Sequence, residues 1–269
     1  MSFKTALLAV VYLSVTSLAL PIRREVPQEH SHEQFLTTVR TSLNLNNPNA
    51  IQDPVFALLG NAAAIKGAGK ITDATCLQLA TADQAFTNAK AAGDVAGQVA
   101  ALIYRALERN TGQVGLASDP CTSIKAVNPE IAALQQHQDP ASANAAAVNK
   151  AITLELAKQI QAVGGDPQDA LKAGTFAPGN VNDATGKGNS CDDLGDAAGC
   201  IFTKNLLVPD ATPEEIDAAV AGAAAPAAET PAASGDAAAT CPPPATVTVT
   251  AGAAATDAQA ATSAAASAP

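Results

Sequence analysis

Five cysteines are the residues of this chain best suited to bond formation: Cys76, Cys121, Cys191, Cys200 and Cys241. Neither a C-x-x-C pair nor a zinc-type cysteine–histidine spacing occurs, so the chemistry expected of them is oxidation to disulfides. The first four allow three pairings. We expect neighbours along the chain to join, Cys76 with Cys121 and Cys191 with Cys200. On chain-entropy grounds, closing the longer loop is worth about 4 kcal/mol. Cys241 is left over, to stay free, take a small-molecule cap or link two chains.

Other reactive types are sparse. His30-Ser31-His32, flanked by Glu29 and Glu33, has the donors for Cu²⁺ or Zn²⁺, but a solvated segment near a mature N-terminus is the expectation. His137 stands in Gln135-Gln136-His137-Gln138 and reads as a polar surface residue beside a helix end. It has no G-x-S-x-G elbow or cysteine motif to work with, so nucleophilic catalysis is not expected. Asp192, Asp193 and Asp196 crowd the stretch between two cysteines, with Asp183 nearby. They lack the D-x-[DN]-x-[DN]-G spacing of a calcium loop, so a solvated acidic loop is expected. Gly67-Ala68-Gly69-Lys70 lacks the spacing and the preceding strand of a phosphate loop. Arg105, Glu108 and Arg109 fall three and four apart and read as an exposed helix face with paired charges. Catalytic residues, cofactors and resident metals are not expected.

The elements that must position these residues are helices built largely of alanine. The chain is 48% hydrophobic, has no tryptophan, and carries only 3% aromatic residues. Alanine buries little area, so such helices must approach closely and gain from covalent cross-links. Helix starts recur as a capping residue followed by proline: Asp53-Pro54, Asn128-Pro129, Asp139-Pro140, Asp166-Pro167 and Thr212-Pro213. Glu215 completes a capping box at the last. Apolar residues then follow helical spacing. Cys76, Leu79, Ala82, Phe86 and Ala89 make one stripe. Val95, Val99, Leu102, Ile103, Ala106 and Leu107 make a second, closed by Asn110-Thr111-Gly112. Val148, Ile152, Leu156, Ile160 and Val163 make a third, with Leu154 on its opposite side. The Gly-, Asn- and Asp-rich stretch Ala173–Cys200 reads as a long loop pinned by its own disulfide. An all-α bundle with disulfides is the expected fold.

The two ends are of another kind. Lys4, the apolar run Ala6–Leu13 and the small residues Ser17 and Ala19 make residues 1–19 a secretory signal peptide. Arg23-Arg24 offers a further processing site, so the mature chain is expected to begin at Glu25. A mature N-terminal segment (25–50), a helical domain (51–224) and a low-complexity tail (225–269) follow. Losing Lys4, Arg23 and Arg24 from the chain's 15 basic residues leaves 12 against 25 acidic ones, a net charge of −13. That charge disfavours nucleic acid and anionic membranes as partners. The Ala/Pro/Ser/Thr-rich tail is expected to be disordered and O-glycosylated, with Thr230, Thr246, Thr248, Thr250, Thr262 and Ser263 as candidates. It ends without the apolar stretch of a GPI anchor. A monomer with some Cys241-linked dimer is expected.

The text of the body carries a resemblance. DPVFALLGNAAAIKGAGKITDATCLQLATADQAFTNAKAAGDVAGQVAALIYRALERNTGQVGLAS (53–118), CTSIKAVNPEIAALQQHQDPAS (121–142) and GNSCDDLGDAAGCIFTKNLLVPDATPEEI (188–216) resemble small secreted proteins of filamentous ascomycete fungi. That family is described as cell-wall or IgE-binding proteins and includes elicitors of plant defence. The resemblance implies a non-enzymatic extracellular or cell-wall protein, with wall polysaccharide or host extracellular proteins as partners. Cys76, Cys121, Cys191 and Cys200 fall inside the similar segments, in line with a shared disulfide frame. An extracellular helical carrier of a small apolar ligand is the alternative, and an extracellular hydrolase a more distant third.

Overall fold

In the computed structural model, residues 28–182 and 189–222 are described. The expected signal peptide with Ala19, the expected Arg23-Arg24 processing site, Asp183, Cys241 and the tail with its glycosylation candidates lie outside them. The helices are α1 (Glu33–Leu45), α2 (Asn61–Ala64), α3 (Leu77–Ala91), α4 (Val95–Ala106), α5 (Pro129–Ala132), α6 (Ala145–Ala162), α7 (Cys200–Thr203) and α8 (Pro213–Ala221). Short 3₁₀ turns at Pro54–Leu58, Ile65–Gly67, Ala74–Cys76 and Pro167–Ala173 join them. The described residues form no strand, only a single bridge between Thr175 and Val208. The fold is all-α.

Three of the five proline-marked starts work as capping chemistry requires. Asp53 accepts from Val55 N–H, Asp166 accepts from Gln168 N–H, and Thr212 with Glu215 forms the capping box of α8. Asn128 does precede α5, but its amide turns to Asp83 instead. Asp139-Pro140 starts no helix. The Asp139 oxygens take Ala141 N–H at 2.7 Å and Gly115 N–H at 2.9 Å, and α6 begins later, after Asn144 in a left-handed conformation.

The stripes form the core. Cys76, Leu79, Ala82, Phe86 and Ala89 are all buried, as are Val99 to Leu107 along α4 and Ile152, Leu156 and Ile160 along α6. Val95 and Val148, at the first turns, are exposed. Leu154 is half-buried against the same core. Alanine and glycine set the spacing: a Cβ on Gly97 would lie 2.9 Å from Ala89 Cβ, so α3 and α4 touch nearly backbone to backbone.

The mature N-terminal segment belongs to this core. Leu36, Val39 and Leu43 of α1 are 0–1% exposed, so the fold begins well before residue 51. Three polar side chains of α3 bind the ends of other helices. Gln78 donates to the carbonyls of Tyr104 and Leu107 at the end of α4. Asn88 donates to those of Ser42, Leu43 and Asn46 at the end of α1. Asp83 accepts from Val127 and Asn128 N–H just before α5. These are the groups a helix leaves without intrahelical partners.

Both expected disulfides are present. Cys76 joins Cys121 with Cα atoms 4.6 Å apart, and Cys191 joins Cys200 at 6.1 Å.

Candidate functional site

Four titratable groups of the described residues, His32, Glu108, His137 and Asp210, meet where the turn Pro167–Ala173 runs out. Its last residue and the next two each take a partner from a different part of the chain. The Ala173 carbonyl accepts from His137 Nδ1 at 2.8 Å, and the Gly174 carbonyl accepts from His32 Nε2 at 3.1 Å. The Thr175 hydroxyl donates to Glu108 Oε2, and the Thr175 carbonyl takes Val208 N–H at 2.8 Å. These contacts assign the imidazole protons. His137 carries its proton on Nδ1 and receives the Thr153 hydroxyl at Nε2, 3.1 Å away. His32 carries its proton on Nε2 and receives Ser31 Oγ at Nδ1, 3.0 Å away.

Burial decides the charge of every member. His32 and His137 are 6% and 0% exposed, and loss of water pushes both down to about 4, so both are neutral imidazoles. Glu108 moves the other way, up to about 7, through burial first and then the nearby Asp139 and Asp210 carboxylates, against the Thr175 hydrogen bond. Burial raises Asp210 to about 6, and its Oδ2 lies 4.0 Å from His137 Nε2. Glu108, Gln28, Asp139, Asn189 and Ser190 line a small surface cleft of about 10 Å³, the room of one water. A carboxyl near neutrality beside a second carboxylate suits acid–base work. In this pair, however, both Asp139 oxygens already hold backbone N–H groups.

Several expectations need correction. His137 is not a surface residue: its backbone N–H binds the Ala106 carbonyl, which draws the ring into the core. His30-Ser31-His32 is not a solvated segment. Ser31 and His32 are buried, and His30 places both its backbone N–H, at 2.8 Å, and Nδ1, at 3.0 Å, on Asp192 Oδ1. Arg105, Glu108 and Arg109 do not share an exposed helix face. The helix stops at Ala106, where Leu107 turns to ψ 143°, short of the Asn110-Thr111-Gly112 close expected from the sequence. Glu108 and Arg109 then leave in different directions. Arg109, 4% exposed, donates to the Ala57, Ala74 and Thr75 carbonyls and to Asn61 Oδ1.

The remaining nominated residues serve the backbone. Asp193 accepts from Gly195 N–H, and Asp196 from Ala198 and Gly199 N–H and the Thr203 hydroxyl, which lowers the Asp196 pKa. Gly67 makes room for the Phe56 ring, and Gly69 has φ +59° close to the Asn49 carbonyl. Among the described residues no group of three or more His, Cys, Asp or Glu is placed to hold a metal ion.

The open surface offers more space. A groove of about 520 Å³ runs between α1, the first turns of α4 and Gly165, with Phe35, Val95, Val99 and Ala100 along it and Gln34 and Asp169 at its edges. No helix of the described residues is long and apolar enough to cross a membrane, and the two disulfides are compatible with an extracellular protein. Compared with known proteins, the chain matches no family model, no curated protein and no solved structure. Glu108, Thr175 and Asp210, the unforeseen members of the hub, are separated by up to about a hundred residues, so no local spacing links them.

Proposed function

We propose that this is a secreted, non-enzymatic protein of the extracellular space or cell wall, which acts by binding through its surface. The observation that supports this most is the use of its chemically able groups. Both buried histidines have both ring nitrogens engaged in holding the fold, and Glu108 and Asp139 line a cleft with the room of one water. Such groups have no substrate to reach. Its partners would be wall polysaccharide or, where a host recognises it, host extracellular proteins, as the resemblance to fungal wall and IgE-binding proteins implies.

Fractionating a producing culture into medium, detergent-extractable wall, covalently bound wall and cytosol tests this. The oxidised chain, cleaved after its leader, should sit in one of the first three fractions. A reduced, uncleaved chain in the cytosol would overturn the proposal. The groove along Phe35 and Val95 favours a second reading, an extracellular carrier of a small apolar ligand, because its volume falls within the ~300–1,000 Å³ of ligand pockets. Organic extraction of the purified protein should then release a bound apolar compound in stoichiometric amount.

A further inference from the structure

The last turn of α4 buries a cation that has no counter-charge among the described residues. Arg105 is 4% exposed. Its Nη1 donates to two neutral oxygens, Gln136 Oε1 at 3.0 Å and Gln78 Oε1 at 3.4 Å. Its Nε is buried and has no partner among the described residues. Burial and the neighbouring Arg109 lower its pKa to about 10, so the group remains charged at neutral pH. A buried guanidinium without an anion is costly, and in a chain with 25 acidic residues a carboxylate partner was readily to be had. None of the ion pairs among the described residues includes Arg105.

Arg105 lines a cleft of about 340 Å³ between α3, α4, the end of α5 and the segment that follows Cys121. Leu79, Ile124 and Leu134 supply apolar walls. Lys125 stands at its edge, exposed and likewise in none of those ion pairs. The Cys76–Cys121 disulfide ties the segment that lines the cleft to the start of α3. An arginine beside a cleft lined partly by apolar and partly by polar side chains suits a carboxylate with a hydrocarbon body.

We propose that this cleft binds a small organic carboxylate, its anionic head on Arg105 with Lys125 at the mouth and its hydrocarbon part on Leu79, Ile124 and Leu134. This deepens the small-ligand reading, but at a site separate from the Phe35 groove, and it stands whichever culture fraction holds the protein. A phosphate or sulfate would leave the apolar walls unused, and a neutral lipid would leave the guanidinium unpaired.

Calorimetric titration of the oxidised, leader-processed full chain with octanoate, octanol and inorganic phosphate tests the proposal. Octanoate should bind, with octanol and phosphate at least tenfold weaker. Arg105→Gln should weaken octanoate at least tenfold, and Arg105→Lys by less. Because changes at Arg105 disturb the core, Ala132→Phe is the second variant. Ala132 is exposed and lines the cleft, so the ring should obstruct binding while leaving the unfolding midpoint in place. Equal binding of octanol or of phosphate, or no octanoate binding at millimolar concentration, would overturn the proposal. So would octanoate binding that survives both variants and is lost in Val95→Asp, which places the ligand in the other groove.

Discussion

Glu108 and His137 show how burial makes the same fold respond to pH in opposite directions. Glu108 has a folded-state pKa raised to about 7, so its contribution is fully present below its ordinary range near 4.5 and is lost as pH rises through 7. His137 is depressed to about 4, so its contribution is present above 6.5 and lost as pH falls toward 4. His32 follows His137, and Asp210, raised to about 6, follows Glu108. The two pairs therefore oppose each other across the weakly acidic range. Replacing one member exposes the balance. The stability of Glu108→Gln relative to the parent should rise by about 3 kcal/mol between pH 4 and pH 8, from a shift of about two and a half units at about 1.4 kcal/mol each. His137→Gln should gain on the parent as pH falls over the same range. Urea melts at stepped pH measure both, and a pH-independent difference for Glu108→Gln would show that its carboxyl is not buried as described.

Among the elements, α3 organises the bundle, and it does so with amides as much as with its apolar stripe. Asn88 binds three carbonyls at the end of α1, which no residue of α1 can satisfy. Asn88→Ala should cost about 1–3 kcal/mol by leaving buried acceptors without donors. Asn88→Asp should cost more, since a carboxylate would face three carbonyl oxygens. Thr87→Ala, one residue away, removes only an exposed hydroxyl's bonds to the Asn128 amide and the Asp83 carbonyl and should cost less, about 0.5–1 kcal/mol. Chemical denaturation orders the three variants. An Asn88→Ala protein as stable as Thr87→Ala would mean that water replaces the amide at little loss.

For the molecule as a whole, the two disulfides do different work. Cys76–Cys121 spans 45 residues and joins the start of α3 to the wall of the Arg105 cleft, whereas Cys191–Cys200 spans only 9. Loop-closure entropy assigns about 4 kcal/mol to the first and about 3 kcal/mol to the second. The shorter loop holds the N-terminal segment in place. Asp192 binds His30, Ile201 N–H reaches the Ser31 carbonyl, and a Cβ on Gly199 would fall 2.2 Å from that carbonyl. Serine replacement of Cys76 and Cys121 should lower global stability more than replacement of Cys191 and Cys200. Loss of the second pair should instead speed amide exchange over residues 30–36. Equal global losses with unchanged exchange at those residues would contradict this division.

The helices were legible in the sequence because they follow from local rules, whereas the disulfide pairing was a preference among three that the structure bears out. Spacing of three and four put Leu79, Ala82 and Phe86 on one face, and Thr212-Pro213-Glu214-Glu215 wrote its own cap. The α1 stripe of Leu36, Val39 and Leu43 obeys the same rule and was there to be found. What local rules do not contain is which polar residue ends up inside. Whether His137, Arg105 and Glu108 face water or core depends on partners dozens of residues away, Ala173, Gln136 and Thr175 among them. Close packing of small side chains brings those partners together, so only the tertiary structure decided which charges the protein hides.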